Sequence, residues 1–429
     1  IKEGTLDSEK AEVEQYEWIS TLYRERISEI KQIVDRVLKP EFLQQDKWTS
    51  HLQFKALKKV YLFDELNESI LDQTKSIIIF KELNANNISM IIKKAVSDEM
   101  LIRSSLSNFC ASRYQLKPSQ YQQCIPKLSH LSSKGVGGRP LLVVGSQKYH
   151  GAAILSALSC LRTGSDYTYI LTHGNKLNVI SEASPDIITA NFNDVADDYV
   201  KKLPCTSILI GSGLDRNESA QKLFFSIAEV VPIKEKPFII DADGLYFLGV
   251  VMKTKPDVFV GRKYPIILTP NAREFASFYQ KIFGEEPTGY SSCFEKASIQ
   301  GKFISVDLES AIQTVKKLSD KIDCCILVKN MVDICCYRGQ VRVTKNLGMV
   351  KRASGQGDLL AGVIACLVNW GSSVVNQVIL SCEIVKISAQ KAFTKKKLGT
   401  VAQDIINEIP DVVYSMVPEN LQQYELQWE

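Results

Sequence analysis

The sequence predicts an α/β fold in which a mostly parallel sheet is flanked by helices and preceded by an α-helical N-terminal extension. Two observations predict the sheet: short, continuous apolar runs recur from residue 141 onward, and helix-forming stretches separate them. A third observation sets the beginning of the chain apart, because it carries helical patterns with few glycines and no nucleotide-binding fingerprint. We therefore predict an α-helical extension over residues 1–121 and an α/β domain over residues 122–429.

The first predicted helix carries one apolar seam and ends before Pro40, because a residue before proline disfavours the helical backbone. Further helical stretches cover 54–63, 67–80 and 88–108. A helix with such a seam needs a partner surface, which could belong to another protein or to the rest of this chain. The seam, in which apolar residues step by three and four, consists of Val13, Tyr16, Ile19, Tyr23, Ile27, Ile30, Val34 and Val37.

From residue 132 the pattern changes. A glycine-rich loop over 132–138 leads into an apolar run at 141–144, which is typical of a buried strand. Two short runs on either side of Arg338-Gly339 predict a hairpin. The other predicted strands cover 167–171, 207–210, 238–241, 266–269, 324–329, 333–337 and 340–344, and predicted helices cover 152–161, 220–230 and 308–318, with long helices closing the chain.

Several predicted strands end in glycines or carboxylates. Gly145 follows one strand, Gly211 and Gly213 follow another, and Asp241 and Asp243 follow a third. Each motif alone can be an ordinary turn. Because the carboxyl ends of parallel strands meet at one edge of a sheet, their coincidence predicts a ligand site at that edge.

A second feature of this kind is Gly355-Gln356-Gly357-Asp358, followed by an apolar helical run over 359–368. The glycines allow a tight turn and close approach to a ligand, and the N–H groups of a helix N-terminus attract anions. Asp358 could then take a proton from a hydroxyl while the amides hold a phosphate. The alternative is a glycine-rich turn with Asp358 as the helix N-cap.

Asn271 and Glu274 follow the strand that ends at Thr269-Pro270. One interpretation is a capping box, in which each side chain binds the other residue's backbone N–H. The other is that both order water around a Mg²⁺ ion carried by a nucleotide.

Composition limits the classes of function. The 429 residues are 45% hydrophobic and 23% charged, which predicts a soluble globular protein with one large core or two domains. With 52 basic and 48 acidic side chains, the net charge of +4 is too small to favour a nucleic-acid partner. No apolar segment approaches the roughly 18–20 residues needed to cross a bilayer.

The eleven cysteines include two adjacent pairs, Cys324-Cys325 and Cys335-Cys336, but no C-x-x-C spacing typical of a zinc site. Others, such as Cys160 and Cys366, lie inside apolar patterns. They are predicted to be reduced and buried, which places the protein in a reducing compartment, either the cytoplasm or the mitochondrial matrix.

Residues from about 122 to the C-terminus resemble the ATP- or ADP-dependent NAD(P)H-hydrate dehydratases, a branch of the ribokinase-like superfamily. The order of the motifs carries the resemblance: Lys134-Gly135 with Gly138-Arg139, Tyr149-x-Gly151-Ala152, Gly211-x-Gly213-Leu214, Ile240-Asp241-Ala242-Asp243-Gly244-Leu245, Thr269-Pro270-Asn271-x-x-Glu274-Phe275, and Gly355-Gln356-Gly357-Asp358-Leu359-Leu360-Ala361-Gly362.

The resemblance implies an enzyme that repairs NADH or NADPH with a hydrated nicotinamide ring, using ATP or ADP and Mg²⁺. Asp358 would deprotonate the ring hydroxyl for attack on the γ-phosphate, and elimination of phosphate would restore the ring. The expected contacts to NAD(P)H hydrate are Gly213, Asn271, Ala272, Arg273, Glu274, Phe275, Ala276, Ser277 and Asp358. The expected ATP contacts are Lys329, Asn330, Met331, Val332, Asp333, Gly348, Ser354, Gly355, Gln356 and Gly357, although Lys329 could instead be an exposed strand-end cation.

The chain departs from the family pattern at several positions. Asp215 replaces a glycine and adds a negative charge beside the expected anionic ligand. Asn330 and Ser354 also replace glycines, and Asn330 is expected to be harmless because asparagine tolerates a positive φ. His150 and Ala153 stand where threonine and proline are usual.

Two alternatives to the repair enzyme remain at this point. A related small-molecule kinase would release a stable phosphorylated product. A catalytically weak or silent descendant would serve as a structural subunit, with residues 1–120 docking it to a larger assembly. The resemblance also implies self-association into a homo-oligomer.

Overall fold

A computed structural model of the chain describes residues 114–126, 132–173, 177–194, 199–230, 236–254, 263–287, 308–371 and 373–417. The predicted helices before residue 109 lie outside these ranges, so the helical extension stays a prediction. The first described helix, α1 (Pro118–Cys124), crosses the predicted domain boundary. Its Cys124 is fully buried in the main core cluster, and Tyr121 packs against that cluster.

The described residues form one nine-stranded sheet with the order β3-β2-β1-β4-β5-β6-β7-β8-β9. Neighbours from β3 to β7 are parallel, whereas β7, β8 and β9 pair antiparallel. The mostly parallel sheet and its closing hairpin are therefore confirmed. The strands are β1 (Pro140–Val143), β2 (Thr168–Thr172), β3 (Ile187–Asn191), β4 (Ser207–Ile210), β5 (Phe238–Ile240), β6 (Ile266–Leu268), β7 (Cys325–Val328), β8 (Ile334–Tyr337) and β9 (Gln340–Val343).

Helices cover the sheet, and the central strands are buried along their whole length, as expected for a sheet covered on both faces. The helices after α1 are α2 (His150–Thr163), α3 (Leu177–Ala183), α4 (Tyr199–Lys202), α5 (Glu218–Val230), α6 (Asp243–Thr254), α7 (Ala272–Phe283), α8 (Leu308–Ile322), α9 (Gln356–Leu367), α10 (Val374–Lys396) and α11 (Ala402–Ser415).

Packing of α9 against α2 sets the position of the site. Gly362 of α9 allows the close approach, since a Cβ there would lie 2.1 Å from the carbonyl oxygen of Ser156. Ser159 of α2 also donates a hydrogen bond to the carbonyl oxygen of Leu359, at 3.0 Å. The apolar residues of α9 share one buried cluster with inward-facing residues of the central strands. The first turn of α9 is thereby held at the carboxyl edge of the sheet.

The nine cysteines within the described ranges are all buried, as predicted, and the structure shows no disulfide bond among them. Among the helices of the described part of the chain, none combines the length and the apolar character needed to cross a membrane.

Candidate active site

The ends of four neighbouring strands meet at the carboxylate of Asp241, which directly follows β5. Its Oδ1 accepts hydrogen bonds from Thr269 Oγ1 at 2.7 Å and from Lys329 Nζ at 2.6 Å, and its Oδ2 accepts one from Ser212 Oγ at 2.9 Å. Asp241 is 1% exposed. The structure thus brings the strand-end motifs together around a buried, fully hydrogen-bonded carboxylate.

Lys329 follows β7 and forms an ion pair with Asp241. Its side chain is only 18% exposed, so the alternative of an exposed strand-end cation is wrong. Burial opposes the charged form of Lys329, but the charges of Asp241, Glu274 and Asp358 outweigh it, and the pKa of Lys329 is raised. The site therefore holds a permanent positive charge at neutral pH.

The glycine-rich turn lies beside this ammonium group. Gly355 is the N-cap of α9 with φ of 88°, a left-handed conformation that favours glycine. A Cβ on Gly357 would lie 3.8 Å from Lys329 Nζ. Gln356 presents a buried Nε2 donor for which the structure shows no hydrogen-bond acceptor. Open helix N–H groups, a buried cation and an unused buried donor together fit an anionic group such as a phosphate.

Asp358 is the third residue of α9 and is not its N-cap, so the capping alternative is wrong. Burial, together with the charges of Asp241 and Asp243, raises the pKa of Asp358 to about 6, although Lys329 acts in the opposite direction. A carboxylate with this pKa can accept a proton efficiently near neutral pH.

Asn271 and Glu274 form the capping box of α7. Asn271 Oδ1 accepts hydrogen bonds from the backbone N–H groups of Arg273 and Glu274, both at 3.0 Å, and Glu274 Oε2 accepts one from Asn271 N at 2.8 Å. Phe275 is fully buried, so its side chain lies in the core and only its backbone could contact a ligand. Ala272 and Ala276 are half-buried, whereas Arg273 and Ser277 are exposed. The capping interpretation is confirmed, and a contact to Mg²⁺ stays a prediction.

The segment after Lys329 is a tight turn. Asp333 Oδ1 accepts a hydrogen bond from Asn330 N at 2.8 Å, and Asn330 Oδ1 accepts one from Met331 N at 2.8 Å. Asp333 is 3% exposed, so its carboxylate stabilises the turn and does not face solvent. Met331 and Ser354 are exposed, and Val332 and Gly348 are half-buried. These exposed and half-buried positions remain available to a nucleotide.

Comparison with known proteins assigns the family. A family model described as NAD(P)H-hydrate dehydratase matches residues 140–411. The chain belongs to this family. The ATP-dependent (S)-NAD(P)H-hydrate dehydratase of Drosophila melanogaster is 30% identical over 302 residues, which cover 68% of this chain and 91% of the relative. The protein of that name from Homo sapiens is 28% identical over 300 residues, covering 66% and 80%.

Solved structures confirm the ribokinase-like fold of this family member. A ribokinase-like superfamily protein of Enterococcus faecalis aligns with a TM-score of 0.56 at 18% identity, covering 71% of this chain and 96% of that chain. The ADP/ATP-dependent NAD(P)H-hydrate dehydratase of Bacillus subtilis, co-crystallized with ATP/Mg²⁺, aligns with a TM-score of 0.55 at 21% identity, covering 71% and 99%.

The structure explains how this NAD(P)H-hydrate dehydratase family member accommodates Asp215. The residue has φ of 69°, which aspartate tolerates better than most non-glycine residues. Its carboxylate accepts hydrogen bonds from Arg216 N at 2.7 Å and Asn217 Nδ2 at 3.3 Å, and its own N–H binds Asp243 at 2.9 Å. The added charge is therefore held within its own turn. Gly213, two residues earlier, lies close to Tyr149.

Asn330 and Ser354 need no such accommodation. Neither residue has a positive φ, so replacing the family's glycine creates no backbone strain there. The expectation that Asn330 depends on the tolerance of asparagine for positive φ was wrong, and its side chain instead caps the turn.

Sequence reasoning placed Asp241, Ser212 and Thr269 in motifs but gave them no role. In the structure Asp241 pairs with Lys329, and Ser212 and Thr269 each donate a hydrogen bond to the Asp241 carboxylate from a neighbouring strand end. A signal existed: an acidic residue directly after a buried strand, in a sheet whose next strand but one ends in lysine, is a candidate partner for that lysine.

Proposed function

We propose that this chain catalyses the ATP-dependent dehydration of NAD(P)H hydrate, restoring NADH or NADPH. The observation that carries the proposal is the carboxylate of Asp358, which lies in the glycine-rich turn region beside Lys329. Its raised pKa makes this carboxylate an effective proton acceptor near neutral pH. We infer the substrate from the family, since the curated relatives are named ATP-dependent (S)-NAD(P)H-hydrate dehydratases. The enzyme is therefore a lyase that consumes ATP.

Each residue of the site has a part in the reaction. Asp358 takes the proton from the ring hydroxyl, whose oxygen attacks the γ-phosphorus of ATP while the bond to the bridging oxygen breaks and ADP leaves. Lys329, Gln356 Nε2 and the N–H groups at the start of α9 stabilise the negative charge on the phosphoryl oxygens. The new phosphate ester then breaks at its bond to the ring carbon, phosphate leaves with the bonding electrons, and the neighbouring ring carbon loses a proton, which forms the ring double bond of the dihydronicotinamide.

Mg²⁺ neutralises phosphate charge when it is bound with the nucleotide. Within the described ranges no group of three or more His, Cys, Asp or Glu side chains could hold a metal ion by itself. The residues fit an ion that the nucleotide phosphates would hold, and Asn271 and Glu274 would contact it through water. Glu274 has Oε1 for this contact, since its described hydrogen bond uses Oε2.

Self-association and a reducing cytoplasmic or mitochondrial location complete the proposal. The nine described cysteines form no disulfide with one another, which supports the reducing location. The structural-subunit alternative is disfavoured because Asp358, Lys329 and the turn are all in place. The kinase alternative differs in its product, which would be a stable phosphate ester.

The test is an absorbance assay. Purified full-length protein is mixed with hydrated NADH and Mg-ATP, and the reduced-nicotinamide band is followed with and without ATP. We expect ATP-dependent recovery of the band together with release of inorganic phosphate. A phosphorylated nucleotide that accumulates without recovery would identify a kinase, and the proposal would then be wrong.

The pH dependence of the reaction follows from the pKa of Asp358, which burial raises to about 6. Below this pH the carboxyl is protonated and accepts no proton, so we expect kcat/KM for the hydrate to fall about tenfold per pH unit on the acid side. The measurement is a rate profile from pH 5 to 8, with unfolding monitored at each pH. Constant kcat/KM down to pH 5 would exclude Asp358 as the base.

A further inference from the structure

Helix α10 buries two charged side chains that no step of the reaction uses. Glu383 is 1% exposed, and the side chain of Lys386 is 12% exposed. Glutamate and lysine are rarely buried unless they are paired, so each must have partners. Those partners lie in two loops: residues 330–333, which follow Lys329, and residues 344–348, which follow β9.

Lys386 joins both loops. Its Nζ donates hydrogen bonds to the carbonyl oxygens of Asn330 at 3.2 Å and Met331 at 2.6 Å, and to Thr344 Oγ1 at 3.2 Å. The same nitrogen lies 2.9 Å from Asp333 Oδ2 in an ion pair. Asp333 N in turn donates to Thr344 Oγ1, at 2.9 Å. One ammonium group therefore holds the turn after Lys329 to the loop after β9.

The same face of α10 holds the second loop at two more points. Glu383 accepts hydrogen bonds from the backbone N–H of Lys345 and, at 2.5 Å, from Asn346 Nδ2. Gln390 Nε2 donates to the carbonyl oxygen of Gly348 at 3.3 Å. Residues three and four apart share one face of a helix, so these contacts form a continuous row with Lys386 at its centre.

We propose that Lys386 is a positioning residue for the nucleotide: it holds the 330–333 turn against α10 and thereby fixes Lys329 and the exposed residue Met331 in binding geometry. This inference rests on the proposed function, because it takes the neighbourhood of Lys329 as the ATP site. Lys386 itself contacts loop backbone and Asp333 and is not assigned a contact to ligand.

The test compares full-length Lys386→Met with Lys391→Met, an exposed lysine on the same helix. We expect Lys386→Met to weaken equilibrium ATP binding and to raise KM for ATP about tenfold or more, since charge-assisted hydrogen bonds to both loops are lost. KM for the hydrate should change less than about threefold, and kcat at saturating ATP should be largely kept. The Lys391→Met control should match wild type in all of these.

Loss of Lys386 also leaves Asp333 buried without its cation, which lowers stability by itself. The double variant Asp333→Asn with Lys386→Met removes that unpaired charge, so we expect it to recover thermal stability but not ATP affinity. Recovery of both together would show that Lys386 serves stability alone, and wild-type ATP affinity in Lys386→Met would equally overturn the inference. A wild-type protein that binds no ATP would instead overturn the proposed function, and this inference with it.

Discussion

Asp358→Asn is expected to lower kcat for ATP-dependent recovery of NADH by about 10³-fold, because a positioned general base contributes roughly 10²–10⁴ to such a step. Asparagine has nearly the same shape but accepts no proton at this position. ATP binding should persist, since the glycine turn and Lys329 are untouched. The measurement is the absorbance assay run beside calorimetric titration with ATP.

A matched control is Asp404→Asn, because Asp404 occupies the same third position of α11, where its carboxylate binds the N–H of Val401. This variant should retain wild-type turnover.

A second readout, the pH dependence of stability, separates the role of Asp358 in catalysis from its effect on folding. Since burial raises the pKa of Asp358 from its ordinary 3.8 to about 6, this carboxyl costs stability progressively as pH rises from about 4 to about 6, and the full cost holds above pH 6. Asp358→Asn should thus gain about 1 kcal/mol over wild type at pH 7.5 and nothing near pH 4. Wild-type kcat in Asp358→Asn would remove Asp358 from the mechanism.

Lys329→Met is expected to have the largest effect on stability, lowering the free energy of unfolding by about 3–5 kcal/mol, because it leaves the buried Asp241 carboxylate without its cation. It should also weaken ATP binding, since the positive charge beside the glycine turn is lost. The charge of Lys329 opposes the rise in the pKa of Asp358, so its removal should move the acid limb of the rate profile above pH 6. Urea unfolding and the pH profile measure these effects.

The double variant Asp241→Asn with Lys329→Met tests whether the unpaired Asp241 carboxylate causes the loss of stability. Without the unpaired carboxylate, most of the lost stability should return, whereas ATP affinity should stay low. If Lys329→Met unfolds at the wild-type urea concentration, the ion pair does not hold this edge of the sheet together.

The parallel sheet was predictable because its strands are nearly continuous apolar runs, a pattern that depends only on neighbours in the chain. The prediction missed β3 (Ile187–Asn191) because this strand lies at the edge of the sheet. Two of its five residues, Thr189 and Asn191, are polar, and Ile188 is 41% exposed. A half-exposed strand carries too few apolar residues in succession to stand out from a loop.

The sequence predicted which residues belong to the site, but it left the role of several of them open. Both interpretations of Asn271 and Glu274 used the same residues, and only the backbone geometry showed the capping box. Both interpretations of Asp358 likewise used one motif, and the helix began three residues earlier than the N-cap alternative required. No sequence pattern indicated that Glu383 and Lys386 are buried, because isolated charges on a long helix are usually solvated.

The sequence by itself determined the order of eight of the nine strands, the motif at several strand ends and, through those motifs, the family. These features follow from local periodicity, turn chemistry and residue identity, which are properties of short stretches. The tertiary structure alone decided which groups meet and how strongly each is buried. Lys329 and Asp241 are 88 residues apart, and Lys386 lies 55 residues from Met331. The pKa of Asp358 is raised by burial and by the charges of Asp241 and Asp243, and only folding brings these distant residues together.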